Sequence, residues 1–445
     1  MSRSLIVGAG VTGLTVAEHL LDAGHQVALL EKETEVGGLC RSFHYGDFTF
    51  DIGPHRLFSS NDSIRDYALS ILERHYAVIA RVSMVYLFRK YLDWPVSPFS
   101  MLRLPLSLSL GCARDLTRMG SRNGTVIRNL EDYIIARYGP TIYETFWRGY
   151  TEKFLGLPCR EVDASWGQLS VGRSVVDRRT EPTGLFDLLR NHFVPSKSKL
   201  QFVYPEGGMG TFPDRFAARI RARGGNVLVA QKIIGIETND SAVTGVRTED
   251  ALHPADLLVW TGRLPELCRL LGQPPPAVGY LSTILYNLEV DAALPGTWQW
   301  IYFPDDRHPF SRVSRPASFS AGTAPPGKTG LCVEVSCEAG SPTWEDPESL
   351  LERVLDGLRE VGLTGDRARV SACHIERIPD SYPIYRTGFK EEIERTRARL
   401  ARFTNLHLVG RQAAFLHDNI DEAMETALSL AATLVNGAGK GAGPG

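Results

Sequence analysis

The chain has 445 residues, of which 43% are hydrophobic and 22% are charged, and these fractions exclude intrinsic disorder for most of its length. Its 49 Lys and Arg residues nearly balance 51 Asp and Glu residues, which gives a net charge of −2. A nucleic-acid groove or a polybasic membrane surface requires a basic excess that this sequence lacks. We therefore expect a small-molecule substrate and no nucleic-acid or membrane partner, whereas the composition leaves the oligomeric state undefined.

The cysteine pattern and the N-terminal sequence both favour a soluble cytoplasmic protein. Seven cysteines are scattered along the chain without C-x-x-C spacing, which predicts reduced thiols and no metal site. The first residues enter a strand pattern directly and lack the apolar core and cleavage site of a signal peptide. Residues 104–111 are apolar but far shorter than the roughly 20 residues that span a bilayer. We expect them to form a buried helix that lines a pocket.

The first forty residues predict a βαβ unit that binds a dinucleotide. Residues 4–7 and 27–30 read as strands, and residues 14–23 read as the amphipathic helix between them. The glycine-rich turn after the first strand contains Gly8, Gly10, Thr12 and Gly13. An acidic residue, Glu31, follows the second strand at the distance expected for this fingerprint.

Each residue of this fingerprint has a physical reason. Gly8 allows a tight turn, Gly10 lets a pyrophosphate approach the backbone, and Gly13 lets the helix and the strand pack closely. The helix N-terminus offers unpaired N–H groups and a positive dipole end to the phosphates. Glu31 is expected to bind the ribose hydroxyl groups. A glycine-rich turn without a ligand is the alternative, and the strand, helix and acid in register argue against it.

A second glycine pair identifies the dinucleotide as FAD. Gly37 and Gly38 follow Glu31 closely, in a segment that also contains Lys32 and Leu39. FAD domains of the glutathione-reductase type have this second pair because another backbone segment approaches the phosphates, whereas NAD domains rarely have it. Arg41 is expected either to add a charged contact there or to be a solvated surface residue.

Later segments supply the remaining parts of a FAD domain. Residues 204–214 open a helix that runs to residue 223, a strand covers residues 226–230, and the backbone at Ile233 is expected to contact adenine. Residues 256–260 form another buried strand. Near the C-terminus, a strand ends in Gly410 and Arg411, and a helix runs from Asn419, Ile420 and Ala423 to about residue 435. The N-terminus of such a helix stabilises negative charge on the flavin pyrimidine.

These elements predict an α/β protein of two domains. The first is a discontinuous, glutathione-reductase-type FAD-binding Rossmann domain made of residues 1–75, 200–280 and 370–436. The second is an inserted substrate domain of helices and antiparallel sheet, made of residues 76–199, which are mostly helical in pattern, and residues 281–369, in which 282–289 and 330–336 alternate like strands. Residues 437–445 are glycine-rich and are expected to form a flexible tail.

Several local strings resemble the UDP-galactopyranose mutase group, which lies within the amine-oxidase and protoporphyrinogen-oxidase class of flavoproteins. The segments that carry the resemblance are 51–55 (DIGPH), 150–153 (YTEK), 164–166 (ASW), 300–304 (WIYFP), 309–312 (PFSR), 382–383 (YP), 410–411 (GR) and 419–421 (NID). The resemblance implies that non-covalent FAD, in its reduced form, reacts through N5 with a sugar, a sugar nucleotide or a glycosylated small molecule. The pyranose ring is then converted to a furanose with no net redox change, and NAD(P)H is a possible external reductant.

The resemblance also assigns roles to individual residues. It places His55, with Gly53 and Pro54, beside the flavin edge, and Arg312 near the flavin and the departing phosphate. Tyr302 and Tyr382 would hydrogen-bond that phosphate. The expected substrate contacts are Trp166, Trp300 and His417. His55 in a turn, Trp300 and Tyr302 in the core, and Arg312 in a surface salt bridge remain the alternatives for these positions.

Two departures from the mutase pattern affect pyrophosphate binding. Positions where the mutases have arginine are Ser170 and Leu416 in this chain. The pyrophosphate contacts must then come from other residues, for which Arg173 and Arg56 are candidates, or the substrate has no pyrophosphate at that place.

Two other classes of protein remain open. One is a FAD-dependent oxidoreductase of the amine-oxidase or protoporphyrinogen-oxidase kind, which oxidises a C–N or C–C bond in a specialised metabolite. The other is a non-enzymatic prenyl-binding protein that shares the fold. Because such binders lack a working flavin site, the intact segment from Gly8 to Glu31 argues against them.

Overall fold

The structure, a computed structural model, describes residues 2–94, 104–117, 126–174, 201–365 and 368–439. The strands are β1 Arg3–Val7, β2 Gln26–Leu30, β3 Ser42–Tyr45, β4 Phe48–Asp51, β5 Tyr76–Ala80, β6 Ser83–Leu87, β7 Lys90–Asp93, β8 Gln201–Pro205, β9 Asn226–Leu228, β10 Ile233–Thr238, β11 Val243–Thr248, β12 Leu252–Pro254, β13 Leu257–Trp260, β14 Gly279–Val290, β15 Trp300–Tyr302, β16 Arg312–Ser314, β17 Thr329–Cys337, β18 Val370–Ile384 and β19 Leu406–Leu408.

The longer helices are α1 Val11–Asp22, α2 Asp62–Leu72, α3 Leu106–Thr117, α4 Leu130–Tyr138, α5 Gly149–Leu155, α6 Ala164–Ser174, α7 Thr211–Ala222, α8 Leu264–Leu270, α9 Leu351–Glu360, α10 Phe389–Leu400 and α11 Ile420–Gly439. Short helical segments occur at Pro140–Ile142, Tyr143–Arg148 and Pro342–Glu345. None of the helices in the described ranges is long and apolar enough to cross a membrane.

A five-stranded parallel sheet forms the dinucleotide-binding layer. Its strand order is β19-β13-β1-β2-β9, so the N-terminal βαβ unit lies at its centre. Helices α1, α7 and α11 cover it, and their apolar faces pack with the buried side of β1 and β2. The strands and helices predicted for this layer are all present, and the α/β fold class with a Rossmann-like domain is confirmed.

A seven-stranded mixed sheet forms the second layer. Its order is β18-β14-β17-β16-β15-β6-β7, and all its strand pairs are antiparallel except β15 with β6. The predicted strands at 282–289 and 330–336 correspond to β14 and β17, which pair along their whole shared length. Their inward-facing Ile284, Tyr286 and Val333 are fully buried.

The boundaries of this second layer differ from the prediction. Residues 76–93, expected to belong to a mostly helical stretch, form β5, β6 and β7, because the apolar run at 83–87 pairs with β15 inside the large sheet. The boundary predicted at residue 370 falls at the start of β18, which pairs with β14 in the same sheet and not in the FAD layer. Helix α11 reaches Gly439 and so includes the first residues of the predicted tail.

The buried helix predicted at 104–111 is present as a helix, but it is only partly buried. It forms α3, but Leu106 and Leu110 are 74% and 63% exposed. Gly111 faces Thr141, where an added Cβ would lie 3.0 Å from that side chain. The helix therefore packs on one side, where Leu108 lies partly buried in the same cluster as the buried Leu104, and Leu106 and Leu110 point outward.

A lysine holds together the loop between β15 and β16. The Lys153 ammonium group on α5 lies within hydrogen-bond distance of the backbone carbonyl oxygens of Phe303, Asp305, His308 and Phe310, at 2.5, 2.7, 3.3 and 2.9 Å, and its three N–H groups are shared among them. Charge-assisted hydrogen bonds of this kind are stronger than neutral ones. Because the loop connects Tyr302 with Arg312, Lys153 fixes the two strand ends that carry these residues.

Lys153→Met is expected to lower the free energy of unfolding by about 3 kcal/mol, because it leaves several buried carbonyl groups without a donor. Urea denaturation of the FAD-loaded protein measures this loss. The control is Lys328→Met, which removes a half-exposed lysine paired with Asp291 at 2.8 Å and should cost less than about 1 kcal/mol. Equal effects of the two variants would show that the four carbonyls do not depend on Lys153.

Candidate active site

One continuous cavity of about 500 Å³ lies between the two sheets. It is lined by all but two of the predicted cofactor residues: Gly8, Gly10, Thr12, Glu31, Lys32, Gly37, Gly38, Leu39, Arg41, Pro54, His55, Ile233, Gly410, Arg411, Asn419, Ile420 and Ala423. The same cavity is lined by Tyr302, Arg312, Tyr382, Trp166, Arg56 and His417. The structure thus brings the predicted cofactor segments and most of the predicted substrate residues to one place.

The two glycine turns form a cradle at the end of β1. Gly8 has a φ of +98°, which glycine adopts without strain, and the Gly37 N–H donates to the Ala9 carbonyl at 2.8 Å, which joins the turns. A Cβ added at Gly10 would meet no atom within 4 Å, so this position faces open space. A Cβ added at Gly13 would lie 2.0 Å from the Gly8 carbonyl oxygen, so Gly13 serves the packing of α1.

Glu31 closes the cradle at the end of β2. The side chain is 6% exposed, and its two oxygens accept hydrogen bonds from the Ala9 and Glu33 N–H groups at 2.8 and 3.0 Å. Each carboxylate oxygen can accept more than one hydrogen bond, so the group retains acceptor capacity toward the cavity. The open face at Gly10 and the fixed carboxylate of Glu31 fit the pyrophosphate and the ribose of FAD.

His55 lies opposite the cradle, on a turn that the fold constrains closely. Gly53 has a φ of +70°, and a Cβ there would lie 2.9 Å from a Glu334 carboxylate oxygen. The His55 Nδ1 atom is buried and has no hydrogen-bond partner among the described residues. Burial, with the charges of Arg411 and Arg312, lowers the pKa of His55 to about 3. The ring is therefore neutral at physiological pH, and it lines the cavity.

Arg312 forms a buried ion pair that sequence reasoning did not identify. Its Nε and Nη2 atoms donate to the two Glu334 oxygens at 2.5 and 2.6 Å, and the two side chains are 17% and 6% exposed. The pair follows from the register, because Arg312 on β16 lies directly opposite Glu334 on β17. Burial alone would lower the pKa of Arg312, and the Glu334 carboxylate raises it well above the ordinary value. The one sign of this ion pair in the sequence was the acidic Glu334 inside the apolar strand predicted at 330–336.

Aromatic side chains form the wall beyond the Arg312 pair. Tyr302 lies across from Arg312 in the sheet and contacts the ring of Tyr150 edge-on, with 5.5 Å between ring centres. Tyr150 stacks with Phe154, and Phe154 meets Tyr382 at 5.3 Å. Burial raises the pKa of Tyr150 well above its usual value, so its hydroxyl group stays protonated. Tyr150 is a cavity residue that was singled out only as part of a family string.

The C-terminal segment completes the site. Arg411 contacts Asp418 at 3.3 Å, donates to the Ser381 carbonyl at 3.0 Å and lies over the Tyr382 ring at 5.0 Å. His417 lies 4.6 Å from the ring of Trp166 and 5.2 Å from that of Tyr382. Arg411 is thus positioned by the protein itself, next to the cavity.

Two of the predicted substrate residues are not found in the cavity: Trp300 lies elsewhere, and the side chain of Arg173 is outside the residues that the structure describes. Trp300, expected to contact the substrate, is 1% exposed and does not line the cavity, because its strand β15 runs inside the large sheet. It supports Arg56 and Arg81, whose guanidinium groups lie 5.0 and 5.4 Å from its ring centre. Arg81 lines the cavity and was not predicted. Arg173 and Ser170 belong to α6, but their side chains lie outside the described residues.

The fold and the cradle together define a FAD-binding protein of the Rossmann class, and comparisons with known proteins identify its family. Residues 6–70 match a model described as an NAD(P)-binding Rossmann-like domain, and residues 178–435 match that of the flavin-containing amine oxidoreductases. Since the second match covers more than half of the chain, the protein belongs to the flavin-containing amine oxidoreductase family and is a flavoenzyme of that class.

Individual proteins that resemble this chain have low sequence identity to it or match only a short part of it. The chain is 23% identical to a phytoene dehydrogenase of Streptomyces griseus over 375 residues, which cover 73% of this chain and 70% of that protein. It is 43% identical to an L-amino-acid oxidase of Crotalus adamanteus over 65 residues only, 15% of this chain and 13% of the oxidase. Among solved structures, reduced UDP-galactopyranose mutase superposes with a TM-score of 0.82 at 23% identity, over 98% of this chain and 94% of the mutase. A putative protoporphyrinogen oxidase of Exiguobacterium superposes with a TM-score of 0.76 at 17% identity, over 98% and 99%.

The cradle predicts different consequences for two neighbouring glycines. Gly10→Asp should abolish flavin content while the apoprotein still folds, because the carboxylate would occupy the open space at the helix N-terminus. Gly13→Ala should instead prevent or weaken folding, because its methyl group would overlap the Gly8 carbonyl. Flavin absorbance and circular dichroism of the purified variants measure the two effects. Stoichiometric FAD in Gly10→Asp would contradict this placement of the pyrophosphate.

The lowered pKa of His55 should make the stability of the folded protein depend on pH in the acidic range. Its pKa is lowered in the folded state, so between about pH 6.5 and about pH 3 the unfolded chain takes up a proton that the folded chain does not. Stability should therefore fall as the pH falls below 6.5, and His55→Gln should remove about 1–2 kcal/mol of the loss between pH 7 and pH 5.

Urea denaturation of wild type and variant at the two pH values measures this difference. The control is His75→Gln, because the His75 side chain is 52% exposed. A pH dependence that is the same in wild type and His55→Gln would show that His55 titrates normally in the folded protein.

Proposed function

We propose that this flavoenzyme binds FAD non-covalently and isomerises the ring of a sugar, a sugar nucleotide or a glycosylated small molecule between pyranose and furanose forms, without net oxidation. The observation that supports this most directly is the continuity of the cavity. One end is the dinucleotide cradle at Gly10 and Glu31, and the other is an aromatic chamber formed by Tyr150, Tyr302 and Tyr382. His55 and Arg312 line the same cavity.

The residues of the cradle fit the cofactor, and they would hold it through backbone N–H groups at Gly10 and Gly38 and through the Glu31 carboxylate. When bound and reduced, FAD supplies a nucleophilic nitrogen, N5, suited to an anomeric carbon. His55 lines the cavity with a neutral ring whose Nδ1 atom has no hydrogen-bond partner among the described residues. A given nitrogen of a neutral ring can donate or accept a hydrogen bond, according to the tautomer, whereas both nitrogens of a charged imidazolium can only donate.

The chamber residues suit a sugar with a departing oxygen. The rings of Tyr150, Tyr302 and Tyr382 provide flat apolar surfaces for the C–H face of a sugar, as aromatic residues do where one side of a ligand is apolar. Their hydroxyl groups can donate hydrogen bonds to an oxygen that gains negative charge as the glycosidic bond breaks. Because Tyr150 keeps its proton, it acts as a donor and not as a base.

A second candidate function is oxidation of a C–N or C–C bond by the oxidised flavin. Two observations favour it: the family match over residues 178–435, and the neutralisation of Arg312 by Glu334, which reduces the pull of this arginine on a departing phosphate. In that case the chamber would bind a flat or branched apolar substrate and the tyrosines would orient it.

An anaerobic assay with matched oxidised and dithionite-reduced holoenzyme separates the two functions. Nucleotide sugars and free glycosides are incubated with each form, and products are identified by NMR while the flavin spectrum is recorded. We expect ring isomers only with the reduced enzyme and a flavin that is still reduced at the end; a parallel sample with NADPH tests whether a nicotinamide can replace dithionite. Flavin-free Gly10→Asp is the negative control. Bleaching of the oxidised enzyme with a stoichiometric oxidised product would instead establish the oxidoreductase.

A further inference from the structure

The arginines of the cavity fall into two groups. Four of the six have a carboxylate within 4.0 Å: Arg41 with Glu33, Arg263 with Asp380, Arg312 with Glu334, and Arg411 with Asp418. For Arg56 and Arg81, none of the described carboxylates lies within that distance. Within the described part of the chain, four guanidinium groups of this cavity are thus paired with a carboxylate and two adjoining ones are not.

Arg56 and Arg81 lie together against one aromatic platform. Both guanidinium groups pack on the buried ring of Trp300, and Arg56 also lies 4.7 Å from the ring centre of Phe202. Arg81 is oriented by a hydrogen bond from its Nε to Ser83 Oγ at 3.0 Å, and that hydroxyl donates to the Trp94 carbonyl at 2.9 Å. The platform and this relay hold two like charges side by side in fixed positions.

Keeping these charges close has an energetic cost that a bound anion would offset. Burial and the charge of Arg81 lower the pKa of Arg56 to about 10, and burial lowers that of Arg81. Asp421 is an acidic group that influences Arg56 from the start of α11, without reaching ion-pair distance. Like charges that are desolvated together and face a cavity are characteristic of binding sites for an opposite charge.

The position of the pair points to the substrate and not to the cofactor. Both arginines lie near Tyr302, the residue of the aromatic chamber that lies opposite Arg312 in the sheet, because the Trp300 ring on which they pack is 6.5 Å from the Tyr302 ring. Tyr302 in turn contacts the ring of Trp94 at 6.0 Å. The pyrophosphate of a dinucleotide is expected at Gly10, where α1 begins, in the other part of the cavity.

We propose that Arg56 and Arg81 form the binding site for a phosphate group of the substrate. Two planar guanidinium groups carry two positive charges, which match a phosphate dianion, and their parallel N–H groups suit its oxygens. The substrate class is then a sugar phosphate or a nucleotide sugar. Only the sugar part of this substrate class rests on the proposed function. The phosphate site does not, since phosphate binding is measurable without turnover.

Calorimetric titration of the holoenzyme with inorganic phosphate, at constant ionic strength, tests the assignment. We expect wild type to bind phosphate, and Arg81→Gln and Arg56→Gln to raise its Kd at least about tenfold. Arg81→Lys keeps the charge but loses the planar fork, and should give an intermediate Kd. Arg263→Gln is the matched control: it removes a cavity arginine that already has a carboxylate partner, and should change the Kd less than about twofold.

A thermal-shift series confirms that the variants fold and supplies a second readout. Phosphate should raise the melting temperature of wild type and of Arg263→Gln, but not of Arg81→Gln, because only a ligand of the folded state stabilises it. Flavin content should be equal in wild type and in all four variants.

Three results would overturn the assignment. The first is that wild type does not bind phosphate, the second is that acetate binds as tightly as phosphate, and the third is that Arg81→Gln loses FAD together with phosphate binding. The last result would assign the pair to the cofactor pyrophosphate. If phosphate binds as expected but no sugar is isomerised, the proposed function fails while this site stands.

Discussion

The buried ion pair between Arg312 and Glu334 determines the electrostatics of the whole cavity. Its two hydrogen bonds join neighbouring strands at the point where the large sheet meets the dinucleotide layer. An unpaired charge at this depth would be costly, and each partner removes that cost for the other. The turn at Gly53, which carries His55, packs directly on Glu334. The pair thus supports the turn that carries His55, and among the described cavity arginines it leaves Arg56 and Arg81 as those without a carboxylate within 4.0 Å.

The site exists only because distant segments meet. The first cradle turn comes from the N-terminus, the tyrosines from three different parts of the chain, and Arg411 from the C-terminal strand–helix connection. Cavities between two layers are common ligand sites, because each layer contributes rigid strand ends. Here the parallel sheet supplies the glycine turns, and the mixed sheet together with helix α5 supplies the aromatic wall. The loop held by Lys153 fixes the distance between two of the wall residues.

Local features of this structure were predictable from the sequence, and long-range pairings were not. The glycine cradle and Glu31 lie within one βαβ unit, where spacing alone fixes their relative positions. The pairing of Arg312 with Glu334 depends on the register of two strands separated by more than a dozen residues, which no local pattern encodes. Arg81 was missed for the same reason: its neighbours Trp300 and Tyr302 come from strand β15, which pairs in parallel with β6. Trp300 looked like a substrate contact, since alternation alone does not tell which face of a strand borders a cavity.

The division of the arginines into paired and unpaired groups is the central claim, and a crystal structure of the FAD-bound enzyme with phosphate tests it most directly. The account predicts phosphate oxygens within hydrogen-bond distance of both the Arg56 and the Arg81 guanidinium groups, with Arg312 still bound to Glu334 through both oxygens. A phosphate bound to Arg312, with Glu334 displaced and Arg56 and Arg81 without an anion, would contradict it.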